Sequence, residues 1–99
     1  MDGKKIKIGG LEYTVNYYDR IVEDDGIENF GIVRYSEQEI NISKDSTKQR
    51  QKMVLLHECI HTMDDLDGFG FDENKVRQVS NMLFNFMLDN KELIKFLIK

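Results

Sequence analysis

The spacing of apolar residues changes once along this chain, near Ser43, and that change limits the folds open to it. Before Ser43 the apolar residues recur with period two, as in half-buried strands. After it they recur at helical spacing. Strands followed by helices, without alternation, predict an α+β fold.

Within the first part, Ile6 and Ile8 alternate with lysines, and Gly9-Gly10 offers a two-residue turn where positive φ costs glycine little. Leu11, Tyr13, Val15 and Tyr17 continue with period two, which predicts a β-hairpin. A polar break follows at Glu23-Asp24-Asp25-Gly26. Phe30 to Tyr35, a turn at Ser36-Glu37-Gln38, and Glu39 to Ile42 predict a second hairpin, with Ile40 and Ile42 on one face. The expected product is a small antiparallel sheet of two hairpins.

In the second part, Ser46 with Gln49 three residues on reads as a capping box opening a long helix. Met53, Leu56, Ile60 and Met63 form its stripe, widened by Val54, Leu55 and Leu66, and Gly68 and Gly70 end it. A second helix starts near Asp72, with Val76, Val79, Leu83, Phe86 and Met87 on its buried face. Asp89-Asn90 breaks it before a short last helix, and Phe84, Phe86 and Phe96 are expected in the core. No repeat or linker divides the chain, so residues 1–99 are expected to form a single domain.

Composition narrows the partners. The formal net charge of −4 argues against a nucleic-acid or anionic-membrane binder, which needs a basic face. A single cysteine forms no intrachain disulfide and fits a reducing compartment. The N-terminal residues lack the apolar core of a signal peptide, and no apolar run is long enough to span a bilayer. A soluble cytoplasmic protein is expected.

The two histidines of the chain, His57 and His61, stand in His57-Glu58-Cys59-Ile60-His61, an H-E-x-x-H pattern on the long helix. Residues four apart lie about one turn apart, so both imidazoles leave one face and can grip one metal ion. Zinc accepts neutral imidazole nitrogens in tetrahedral sites. Glu58, beside the pair, is placed to act as general base on a water that a metal activates. The plainer alternative is a solvated helix face with two ordinary histidines. The motif's position inside a capped amphipathic helix favours the metal.

Charge placement points the same way. Lys44, Lys48, Arg50 and Lys52 crowd the start of the long helix, while Glu58, Asp64, Asp65, Asp67, Asp72 and Glu73 follow without an intervening base. The helix dipole prefers the reverse order. An acidic patch around a cation accounts for this, and a solvated acidic turn accounts equally well for Asp64, Asp65 and Asp67. For the third ligand, Cys59 lies about 200° around the helix from each histidine and reads as a small core residue. Asp72 and Glu73 follow the glycine turn, and periodicity does not separate them.

The pattern His57-Glu58-Cys59-Ile60-His61, a glycine-containing turn, then Glu73-x-x-Val76-x-x-Val79-Ser80-x-x-Leu83 resembles the ImmA/IrrE-like zinc metallopeptidases, in particular the small phage and prophage versions. The resemblance implies a minimal zincin: a small sheet, an active-site helix, and a second helix whose glutamate is the third metal ligand. It assigns that role to Glu73 and implies one Zn2+ per chain held by His57, His61 and Glu73. Ile60 stands where the family often has a small residue. Val76, Val79 and Ser80 replace the alanine, phenylalanine and alanine of its E-x-x-A-x-x-F-A motif and read as packing positions.

On this reading the chain is a zinc-dependent peptidase acting on a protein or peptide substrate, with Glu58 catalytic. Glu39-Ile40-Asn41-Ile42 is the strand edge expected to pair with an extended substrate. Tyr35 is weighed as an oxyanion donor against a plain packing role, and packing is favoured. The competing reading is a regulatory or host-interaction module that keeps the metal with little turnover. Retention of Glu58 weighs against it, since a structural site needs ligands and no base.

Overall fold

The computed structural model describes residues 1–22 and 28–99, so the polar break at Glu23-Asp24-Asp25-Gly26 lies outside the described residues. Strands β1 (Lys5–Ile8) and β2 (Leu11–Tyr18) are followed by the short β3 (Ile21–Val22) and β4 (Glu28–Asn29), then by β5 (Gly31–Arg34) and β6 (Glu39–Ser43). Helices α1 (Lys48–Asp67), α2 (Glu73–Asp89) and α3 (Lys91–Leu97) complete the chain. The fold is α+β.

Both hairpins form. Ile8 pairs with Leu11 across Gly9-Gly10, whose φ values of 57° and 84° suit the tight turn. Arg34 pairs with Glu39 across the second turn. The sheet they make is mixed rather than antiparallel. Its order is β1-β2-β6-β5, and β2 runs parallel to β6, with Val15 opposite Ile40 and Tyr17 opposite Ile42. Alternation along a strand fixes which face is buried but not which strand lies beside it. Here β6, with Ile40 and Ile42 fully buried, takes the central place, and β5 is left at the edge. The substrate-pairing edge expected at Glu39 to Ile42 is therefore interior, and the outer strand on that side is β5.

One sheet face carries the core of Ile8, Tyr13, Val15, Ile40 and Ile42, and α1 covers it with Val54, Leu55 and Cys59. The face of α1 against the sheet differs from the expected stripe. Gln51, Glu58 and Thr62 are its buried residues, Ile60 is buried on the opposite side of the helix, and Met63 and Leu66 are exposed. Polar residues can occupy this face because their groups find partners: Gln51 Nε2 donates to the Ser46 carbonyl at 3.0 Å and Thr62 Oγ1 to the Glu58 carbonyl at 2.8 Å. The cap falls one residue after the expected Ser46. Thr47 Oγ1 accepts from the Arg50 amide at 3.1 Å, in extended backbone that suits an N-cap.

Gly68 closes α1 in the left-handed region, φ 71°. The Phe71 amide then donates to both Asp64 carboxylate oxygens at 3.2 Å, which ties the turn back to α1 and returns α2 along it. On α2 the buried residues are Val76, Ser80 and Phe84, while Phe86 is exposed. Phe84 and Phe86 are about 200° apart around a helix, so one of them at most faces α1. Phe96 is 72% exposed, and α3 contributes no buried residue, contrary to the expectation of three core phenylalanines. Among the described residues no helix is long and apolar enough to cross a membrane.

Candidate metal centre

His57 and His61 project from α1 on one side, with ring centroids 4.8 Å apart. The first turn of α2 carries Glu73 against them. One carboxylate oxygen, Oε1, lies 2.8 Å from His57 Nε2, and the other, Oε2, lies 2.8 Å from His61 Nε2. Asp72 is placed otherwise: its Oδ1 accepts from the Lys75 amide at 2.7 Å as the N-cap of α2. One carboxylate thus reaches the histidine pair, and its neighbour caps the helix. Asp64 is occupied with the Phe71 amide, so the acidic run of the sequence does not converge on one point.

The donor set suits a cation. His57, His61 and Glu73 each offer one ligand atom, and these atoms lie within 4.8 Å of one another. Two imidazoles and a carboxylate are the donor set of catalytic zinc sites that keep one position open. The group could hold a metal ion. Cys59 is not among these residues. It packs on the sheet core, where burial first, and then the Glu58 charge, push its thiol up to about 11.

Ser80, read from sequence as packing, is buried beside His57, with Oγ 3.4 Å from Nδ1. The same hydroxyl donates to the Arg77 carbonyl at 3.1 Å, so its oxygen is left to accept from an Nδ1–H. With a metal bound, that contact would hold the ring with its proton on Nδ1 and free Nε2 for a ligand bond. A lone serine in an apolar helix stripe was the available sequence signal. Burial lowers the His57 pKa most. The Glu73 carboxylate opposes this, while the charges of His61 and Arg77 add to the lowering.

Glu58 turns towards the sheet, 8% exposed, and lines a groove of about 420 Å³ together with His57, Glu73 and Gly31. Gly31 opens β5 directly over it. A Cβ there would stand 2.5 Å from Val54 Cγ1 and 3.1 Å from Glu58 Cγ, so only glycine lets the strand come this close. Tyr35 lies in the turn after β5, exposed, and is not part of the groove lining.

Burial pushes the Glu58 carboxyl up to about 7, with His61 opposing and Glu73 adding to the rise. In the metal-free protein this has a definite sign. A carboxyl whose folded pKa exceeds its unfolded value of 4.5 contributes stability that is complete below pH 4.5 and is lost as pH rises through about 7. The loss is about 3 kcal/mol. Metal-free Glu58→Gln is therefore expected to gain stability relative to wild type between those limits, read as the difference in urea midpoints at pH 4 and pH 8. A difference that stays constant with pH would contradict the raised pKa.

No family model, curated protein or solved structure matches this chain.

Proposed function

We propose that this chain is a zinc-dependent peptidase of the ImmA/IrrE-like kind. The observation that carries the reading is the Glu73 carboxylate spanning both histidine Nε2 atoms at 2.8 Å, with a buried carboxyl, Glu58, from the same helical turn beside it. His57, His61 and Glu73 would hold the ion. A zinc ion bound there supplies Lewis-acid polarisation of a carbonyl and makes a water acidic enough to lose its proton near neutral pH.

The chain's own groups supply the proton transfers. Glu58 accepts a proton from the attacking water and gives it to the leaving amine. Gly31 keeps the β5 backbone close enough to hold that carboxyl in place. Ser80 fixes the His57 ring. The β5 edge beside the groove offers backbone groups to which an extended peptide can add as a further strand.

The reading is tested by following hydrolysis of an unfolded protein substrate by the zinc-reconstituted chain. Cleavage is expected to stop on chelation and return when zinc is restored. Cleavage that survives complete removal of metal would sink the metal mechanism. A zinc-loaded chain that cleaves nothing across a broad peptide library would favour the binding-module reading.

A further inference from the structure

The groove beside the histidine pair is also lined by two basic side chains. Glu73, Arg77 and Asn81, spaced four apart, line it from α2, and Arg50 lines it from the start of α1. In a chain of net charge −4, two guanidinium groups face the same groove as the candidate metal centre. Each has a neutral partner. Arg77 Nη1 donates to the Asn74 side-chain oxygen at 2.9 Å, and the Arg50 guanidinium lies 4.9 Å from the centre of the Phe30 ring. Among the described residues neither is ion-paired with a carboxylate. The partners steady both side chains without cancelling their charge.

We propose that this groove binds a carboxylate of the peptide, held by Arg50 and Arg77. The proposal rests on the peptidase reading and names the class of substrate that reading leaves open. Arginine suits the role because its planar fork matches a carboxylate with two parallel hydrogen bonds. From Arg50 to His57 is about two turns of α1, or about 10 Å along the axis. An extended peptide covers that distance in about three residues. The carboxylate therefore belongs within about three residues of the bond to be cut. An acidic side chain and a free C-terminus both supply it. A polyphosphate backbone is disfavoured, because Glu58 and Glu73 line the same groove.

The test is a binding measurement with zinc-loaded Glu58→Gln, which is expected to hold peptides without cutting them. Zinc content is measured first on each sample. The probes are a fluorescent blocked neutral hexapeptide, its single-glutamate and single-lysine variants, and the neutral peptide with a free C-terminal carboxylate. The best acidic probe is expected to bind about tenfold more tightly than the neutral one, and lysine probes more weakly. Position along the glutamate series, set against the free-terminus probe, separates side chain from chain end.

The acidic advantage should fall in Arg50→Gln and in Arg77→Gln, vanish in the double variant, and shrink with added salt. The single variants keep the test decisive if the double variant does not fold. Equal binding of acidic, neutral and lysine probes, no binding of any probe, or an acidic advantage that survives both arginine substitutions would overturn the proposal. A chain that takes up no zinc overturns the metal reading beneath it. Acidic preference in a zinc-loaded wild type that never cleaves overturns the peptidase reading alone.

Discussion

Glu58→Gln is expected to lower peptide hydrolysis by the zinc-reconstituted chain at least about 100-fold, the lower end of what a positioned general base contributes. The amide keeps the shape of the carboxylate and its fit under Gly31, so the backbone of β5 need not move. His57, His61 and Glu73 are untouched, and metal content should stay at the wild-type level. The variant also loses the cost of ionising a buried carboxyl, so the metal-free protein should be at least as stable near neutral pH. Turnover unchanged from wild type would remove Glu58 from the mechanism. Loss of metal in the same variant would make it a ligand instead.

The second large effect separates two adjacent acids. Glu73→Ala is expected to weaken zinc binding by more than the roughly 10–100-fold that loss of a ligand's own hydrogen-bond partner costs. It should do so with little change in the stability of the metal-free chain. The Glu73 side chain is 59% exposed, and an exposed ion pair adds little to stability. Asp72→Ala should behave in the opposite way. It removes the N-cap bond to the Lys75 amide, lowering stability by about 1 kcal/mol, and leaves zinc affinity near wild type. Zinc titration and urea unfolding of both variants at one pH read the two quantities independently. The reverse ranking would move the third ligand to Asp72 and end the correspondence with the E-x-x-A-x-x-F-A motif.

Local features were the legible ones in the sequence. The Gly9-Gly10 turn, the αL glycine at position 68, the Asp89-Asn90 break and the placement of His57 and His61 on one helical face each follow from a few neighbouring residues. What the sequence did not disclose depends on contacts between distant segments. Ile40 and Ile42 mark a buried face, but nothing in their spacing says that β6 docks parallel to β2 and pushes β5 to the edge. The period put Phe86 on the buried face of α2 with Val76, Val79, Leu83 and Met87, whereas the structure buries Phe84 and exposes Phe86. Ser46 and Thr47 are both good caps by residue type, and it is Thr47 whose hydroxyl accepts from the Arg50 amide.

At the site, the choice between Asp72 and Glu73 was open to periodicity and was made in sequence only by resemblance. The fold distinguishes them because a cap must turn its side chain back to its own helix, whereas the next residue is released towards α1. Gly31 carried no recognisable signal, and Ser80 only that of a lone serine in an apolar stripe. One matters for the atom it lacks, the other for a hydroxyl whose partner, His57, is 23 residues away. Arg50 read as one of several bases misplaced at the start of a helix, and the structure sets it over the Phe30 ring in the groove that Arg77 also lines.

A zinc site formed by His57, His61 and Glu73 is read out by metal content. Wild-type chain and the His57→Ala/His61→Ala double variant are stripped, reconstituted with zinc, desalted and measured by elemental analysis beside circular dichroism. One zinc per wild-type chain is expected, and none in a folded double variant. Equal zinc in the two proteins, or none in wild type, would contradict the site.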